Sequence, residues 1–284
     1  MDSSLWQNTT PLGRMVVYVI LIAVSVWVVL PFLWAVGNSF KDVVSTFSAG
    51  AFIPFVDYQP SLASWESVLG SPNALLALMN SFIASIGATI MVIILGTPAA
   101  YSLARFEFKI PSRDISIWFL SQRVLPPAVV LVPFFVVMVN LKLIDTRLAL
   151  ILVYTTFNLP FGVLIMRDIF RDISQDIEDA ARIDGATEWQ VFYRIALPLS
   201  VNGLITTGII VFAFSWNEAL FAATLTSREA ATLPVYILSS RSTRGVDFNI
   251  AAVNTLLAIV PPVVMSLFVQ RYLARGLSFG AVKG

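Results

Sequence analysis

The sequence predicts an all-α integral membrane protein with six transmembrane helices. Three observations carry that prediction. Of 284 residues, 57% are hydrophobic and only 12% are charged, where soluble domains carry about 25%, and the mean hydropathy is +0.82. Six apolar runs are each long enough to cross a bilayer, which takes about 20 helical residues. The remaining charge is concentrated, with eleven charged residues between Arg167 and Arg194.

The runs follow one another with polar breaks between them. Residues 1–14 form an N-terminal segment, and the first run, 15–36, follows Arg14. Ala35-Val36-Gly37 weakly resembles a signal cleavage site. A signal h-region is only about 7–15 residues long, so this run is expected to stay as a helix. The stretch 55–72, with prolines and the acids Asp57 and Glu66, leads to the second run, 76–104. Arg105, Lys109 and Arg113 separate it from the third, 115–140. The fourth, 147–166, opens onto the charged loop 167–200, and the fifth is 201–222. A polar stretch, 227–247, precedes the sixth run, 249–270, and the tail 271–284. Together 15–270 reads as one transmembrane domain. Pro98, Pro126, Pro127, Pro133, Pro160, Pro261 and Pro262 fall inside the runs, where each removes a donor and kinks or breaks a helix.

Lys and Arg in short loops set orientation. With the N-terminus inside, the inner side holds Arg14, Arg105, Lys109, Arg113, Arg167, Arg171, Arg182, Arg194, Arg271, Arg275 and Lys283. The outer side holds only Lys41, Lys142, Arg147, Arg228, Arg241 and Arg244. Both termini and the charged loop are therefore expected in the cytoplasm.

Composition removes several chemistries. The chain has no Cys and no His, which excludes disulfides, thiol nucleophiles, imidazole bases and most zinc sites. No catalytic residue and no metal site is assigned. A net charge of +1 gives no nucleic-acid footprint. No G-x-x-x-x-G-K-[ST] phosphate loop is present, so any ATP chemistry must come from another subunit.

The charged loop reads as two short helices. Ile169, Ile173, Ile177, Ala180 and Ala181 recur as a helical stripe. Asp184-Gly185 ends it, since Gly suits the left-handed residue after a helix. Thr187 and Gln190 make a T-x-x-Q capping box for a second helix, and Pro198 interrupts the pattern before the fifth run. The small residues Ala180, Ala181, Gly185 and Ala186 permit close approach by a partner, and the stripe is expected to enter a partner groove. A helix lying on lipid would be rich in Lys and Arg, whereas this one is net acidic.

These residues resemble the E-A-A, three residues, G, nine residues, I-x-L-P loop of permease subunits of bacterial ABC importers. Here the pattern is Asp179-Ala180-Ala181, Gly185, then Ile195-Ala196-Leu197-Pro198. The departure is Asp179 for the family's Glu, with Glu178 beside it able to compensate. Asn80-Ser81-Phe82, Trp216-Asn217-Glu218 and the tail Arg275-Gly276-Leu277 with Gly280-Ala281-Val282-Lys283-Gly284 resemble the second, six-span permease of the maltose-type carbohydrate branch. The resemblance implies the type I importer permease fold with a cytoplasmic coupling helix, in a bacterial cytoplasmic (inner) membrane. It implies ATPase coupling through Asp179, Ala180, Ala181, Gly185, Ala186, Ile195, Leu197 and Pro198. It also implies a heterodimer with a second permease, two ATP-binding cassette subunits that hold ATP and Mg, and an extracytoplasmic solute-binding protein. This chain would then carry no cofactor of its own, and would move a sugar or sugar derivative by alternating access.

Polar side chains within spans are costly and often functional. Asn80, Asn217 and Asn254 each lie about five residues from the outer end of a run, roughly 8 Å deep at 1.5 Å per residue. With Glu218 and the mid-span Asn158 they are the substrate-pathway candidates. The alternative for each is hydrogen bonding that joins helices. Asn158 is also expected to cap carbonyls freed by Pro160. Arg123 is placed to snorkel to the inner surface. The runner-up function is an ion-coupled secondary transporter of a polar solute, with Glu218 as its ion site. A membrane enzyme is a weaker rival, for want of a nucleophile or base.

Overall fold

The computed structural model describes residues 10–47, 53–239 and 247–279. Outside them fall residues 1–9, Arg241, Arg244 and the tail beyond Phe279, with the Gly280–Gly284 part of its pattern; the side chains of Arg123, Arg271 and Arg275 fall outside as well. Every regular element among the described residues is a helix, apart from a β-bridge between Pro54 and Tyr58 in a turn.

One compact unit holds α1 (Pro11–Ser39), α2 (Val43–Phe47), α3 (Ala63–Leu69) and the turns of the last helix up to Leu257. Thr10 caps α1 by accepting the Gly13 N–H at 3.2 Å, with Pro11 at the first helical position, where its missing N–H costs nothing. The apolar side chains of α1 are exposed on this chain until the last turns, where Ala35, Asn38 and Ser39 are buried. A helix apolar on all sides suits a hydrocarbon surrounding. Beyond it the chain doubles back. Ser61 N–H donates to Phe40 O at 2.7 Å, Tyr58 Oη to Gly37 O at 3.2 Å and Trp65 Nε1 to Ser39 Oγ at 3.3 Å. Asn249 Nδ2 donates to Ser64 Oγ at 2.9 Å and joins the last helix to α3.

The second unit runs through α4 (Pro72–Arg105), α5 (Ser112–Val124), α6 (Pro127–Asn140), α7 (Arg147–Asp172), α8 (Gln175–Ile183), α9 (Glu188–Val191), α10 (Val201–Trp216), α11 (Leu220–Leu225), α12 (Leu233–Ser239) and the part of α13 (Phe248–Phe279) from Ala258 onward. Helices α4 and α7 share the most extensive packing of the unit, and α10 packs on both. Ser71 and Thr146 cap α4 and α7 by accepting the N–H of Ala74 and Ala149 at 3.4 and 3.2 Å. Small residues allow the close approach: a Cβ added to Gly162 would meet Val92 Cγ1 at 2.5 Å, and one at Gly87 would meet Ile151 Cδ1 at 2.7 Å. Lipid offers no hydrophobic drive for helix pairing, so such tight backbone packing is what holds a bundle together.

Two expected runs are broken. The run 115–140 is two helices, α5 and α6, parted at Leu125, which is extended (φ −63°, ψ 123°) because a residue before proline is kept out of the helical region. The run 201–222 stops at Trp216 and resumes at Leu220. By contrast Pro98, Pro133, Pro160, Pro261 and Pro262 sit inside continuous helices. Among the described residues four helices are long and apolar enough to cross a membrane, and up to six spans result if α5–α6 and the stretch from α9 into α10 each count as one bent span.

Candidate functional site

The charged loop forms a two-helix module. Helix α8 starts at Gln175, with Asp176 and Glu178 in its first turn and Arg182 in its last, the charge order that its dipole favours. It closes with Gly185 in the left-handed region (φ +89°). Ala186 N–H donates to Ala181 O at 2.9 Å and Gly185 N–H to Arg182 O at 3.0 Å, the paired bonds of a Schellman motif. The capping box then opens α9 directly: Thr187 Oγ1 accepts the Gln190 N–H at 3.4 Å, and Gln190 Oε1 accepts the Thr187 N–H at 2.8 Å. From α9 the chain passes through a π-helical turn, Phe192–Ala196, and a last turn, Leu197–Leu199, before bending 72° into α10. Pro198 therefore lies within the helix, and the bend comes at Ser200.

Arg182 binds the two helices together. Its Nη1 donates to Asp179 Oδ1 at 2.6 Å, and its Nε and Nη2 reach the two oxygens of Glu188 at 2.9 and 3.1 Å. The hydrogen bonds from Arg182 hold the Glu188 carboxyl below its ordinary value. Those from Glu188, ahead of Asp179, raise the Arg182 guanidinium above its own.

The predicted stripe is divided. Ile169 lies in α7 and Ile173 just after it, and both pack against the core around Phe170 and Phe192. They belong to the bundle because α7 ends at Asp172 and the chain turns there. The outward surface of the module is instead made of Ile177, Asp179, Ala180, Ile183, Gly185 and Trp189, all exposed. Ala181, Ala186, Ile195 and Leu197 are half-buried, and Pro198 is exposed.

Sequence reasoning missed the inner anchor. Glu178 is fully buried. Its carboxylate accepts from Tyr101 Oη at 2.9 Å and Arg105 Nε at 2.9 Å, and Arg105 Nη2 lies 2.8 Å from it. Arg105 Nη2 also donates to Ile173 O at 2.9 Å. Glu178 points inward and Asp179 outward, about 100° apart on the helix, so Glu178 does not stand in for Asp179.

The pathway candidates separate. Asn80 is fully buried: its Nδ2 donates to Glu229 O and Ala231 O, both at 2.9 Å, and its Oδ1 accepts from Arg147 Nε at 2.8 Å. It joins α4 to the α11–α12 loop, and both of its amide protons are spent there. Beside it Asp145 (φ +58°) accepts from the N–H groups of Ser227, Arg228, Glu229 and Ala230 at 3.0, 3.1, 3.1 and 3.0 Å and from Ser227 Oγ at 2.9 Å. Burial raises the Asp145 carboxyl, but the N–H groups of Ser227, Ala230 and Glu229 outweigh it and hold the group well below the usual carboxylate range. No spacing signal ties Asp145 to a segment 82 residues on.

Glu218 is a cap. Its Oε1 accepts the N–H of Leu220 and Phe221 at 2.9 and 3.0 Å, and its Oε2 that of Ala222 at 3.2 Å. This satisfies the start of α11 and explains why the fifth run breaks where it does. Asn158 Nδ2 donates to Tyr154 O at 2.9 Å and Ser215 Oγ at 3.2 Å. The carbonyl freed by Pro160 is that of Thr156, so the expected cap is not made. Asn158 and Glu218 border a cavity of about 110 Å³ with Tyr154, Phe157 and Phe214. Asn217 is exposed and spends only its amide N–H on Ala213 O at 2.9 Å. Asn254 is buried, and its Oδ1 has no hydrogen-bond partner among the described residues. No group of His, Cys, Asp and Glu among the described residues is placed to hold a metal.

Known proteins resemble this chain in sequence and fold. The family described as binding-protein-dependent transport system inner membrane component matches residues 93–279. The trehalose transport system permease protein SugB of Mycobacterium tuberculosis is 34% identical over 262 residues, 91% of this chain and 93% of that protein. The diacetylchitobiose uptake system permease protein NgcG of Streptomyces coelicolor is 30% identical over 270 residues, 94% of this chain and 88% of that protein. Among solved structures, a bacterial ABC transporter involved in the import of the acidic polysaccharide alginate has a chain of the same fold, at TM-score 0.78 and 20% identity, covering 93% of this chain and 98% of that one.

Proposed function

Because this chain belongs to the family of binding-protein-dependent transport system inner membrane components, we propose that its α8–α9 module is the element through which separate ATPase subunits drive sugar import. The chain is an ABC importer permease. The observation that carries the coupling reading is the exposed turn at Gly185. Schellman bonds and a capping box fix it on either side, and a Cβ added there meets nothing within 4 Å. A rigid, protruding turn with no side chain is shaped to enter a cleft. Asp179, exposed on the same module with one oxygen held by Arg182, has its other oxygen to offer to a cation in that cleft. ATP and Mg reside in the partner subunits, and the module faces them in the cytoplasm, as do both termini. A second permease completes the path, and a solute-binding protein delivers the sugar from outside. The carbohydrate class is supported by the trehalose and diacetylchitobiose permeases.

Glu218 as an ion site is disfavoured, because both of its oxygens are occupied by backbone N–H groups. Gly185→Glu tests the docking reading. The variant is expected to insert and keep its helical content, yet to lose uptake of labelled sugar in proteoliposomes by more than about tenfold, an effect of roughly 1.4 kcal/mol. Normal uptake would sink it. Gly185→Ala puts an L residue at φ +89° and should cost about 1–2 kcal/mol at the turn alone.

A further inference from the structure

Glu178 has no place in the docking surface, yet it is the fully buried acid of the module, and its partner Arg105 has a side chain only 3% exposed. Arg105 is the last residue of α4. Its guanidinium holds Ile173 O, where the chain leaves α7, and the Glu178 carboxylate on α8. Tyr101, one turn earlier in α4, takes the other Glu178 oxygen. Three elements, α4, the end of α7 and α8, therefore meet at the Arg105 guanidinium. From the surface inward, charges alternate: Asp179 to Arg182 at 2.6 Å, Arg182 to Glu178 at 3.5 Å, Glu178 to Arg105 at 2.8 Å.

A buried ion pair is a poor way to add stability, since desolvation offsets its attraction and an apolar pair often does as well. What it supplies is fixed geometry. Hydrogen bonds to ionised groups are short and directional, so α8 cannot slide on α4 without breaking them. One covalent route from α8 to the membrane passes through the turn at Gly185, a π-helical turn and a 72° bend into α10. The other is the short link Ile173–Ser174 back to α7, which Arg105 also holds through Ile173 O. Between α8 and α4, the Glu178 clamp is the fixed connection.

We propose that Glu178, clamped by Arg105 and Tyr101, is the positioning residue through which displacement of α8 is passed to α4, an inference that rests on α8 being the element the ATPase moves. The chain has no native cysteine, so Asp176→Cys and Glu107→Cys, both exposed, place one spin-label pair across the joint. In the reconstituted importer, this pair should keep one narrow distance whether or not the ATPase is trapped with ATP and vanadate. Adding Glu178→Gln should broaden or shift that distance on trapping. It should also lower sugar moved per ATP hydrolysed by about fivefold or more, the low end of coupling between linked sites, while the ATPase still co-purifies.

Tyr101→Phe, which removes one donor and keeps the ion pair, should give a smaller loss of the same ratio. It carries the test if Glu178→Gln fails to accumulate. An unchanged ratio in both variants, or a distance that shifts on trapping in the native joint, overturns the proposal. Failure of the native chain to co-purify with its ATPase would instead overturn the docking reading beneath it.

Discussion

Asp145→Asn is predicted to loosen one loop and leave its neighbours in place. The carboxylate collects four backbone N–H groups and one hydroxyl from Ser227–Ala230. A hydrogen bond to a charged group contributes about 1.5–3 kcal/mol. Asn keeps one acceptor oxygen and turns an NH2 toward the remaining donors. Roughly two bonds are lost, discounted because the site is partly exposed, for a net of about 2–3 kcal/mol. By amide hydrogen exchange on the purified protein, the amides of residues 227–230 should then exchange roughly 30- to 150-fold faster, at a factor of ten per 1.4 kcal/mol.

The loop contains its own control. Leu233 N–H donates to Ser81 Oγ at 2.7 Å, and Asn80 holds Glu229 O and Ala231 O, none of which involves Asp145. Leu233 should keep its protection. Unchanged exchange at 227–230, or Leu233 accelerating in step with them, would refute the reasoning. The sign with pH follows from the lowered folded-state carboxyl. Its contribution is fully present above the unfolded value of about 3.9, so protection from this source should be flat at neutral pH. It should be lost only in strong acid, as pH falls through the folded value.

Other outcomes follow from single contacts. Gly162→Ala drives a Cβ into Val92 at 2.5 Å, an overpacking cost of about 1–3 kcal/mol. It should lower the melting temperature in detergent, and Val92→Ala in the same chain should restore part of it; an unshifted melt in the single variant would count against the tight α4–α7 packing. Asn217→Leu removes the exposed amide among the pathway candidates. It should slow uptake by about two- to tenfold, the worth of one hydrogen bond, with an unchanged melt; unaltered uptake kinetics would return Asn217 to a structural role.

Hydropathy made the helical membrane architecture legible, because a run of apolar residues long enough to span says so without reference to any other part of the chain. The α8–α9 turn was legible for a similar reason. Gly185, Thr187 and Gln190 act on residues three to five positions away, and their chemistry is local. The break after Trp216 was hidden, since Leu220–Leu225 continues the apolar run and Glu218 reads as an intramembrane acid. Its role as a cap depends on the backbone stopping there. Asn80 and Asp145 serve partners more than 80 residues distant, which no periodicity encodes. Glu178 and Asp179 are adjacent acids in the sequence. Only the presence of Arg105 beneath one of them decides which is buried.

The π-helical turn at Phe192–Ala196 also gives meaning to the nine residues between Gly185 and Ile195. A π turn is an α-helix carrying one residue too many. The wide turn takes up that residue locally, so the helix on either side keeps nearly the phase it would have in a chain one residue shorter. Taken from a regular helix instead, one residue would rotate everything before it by about 100° and shift it by about 1.5 Å, and Glu178 would swing away from Tyr101. The π turn is thus the place where the spacing of the pattern can change by one without the module losing its alignment.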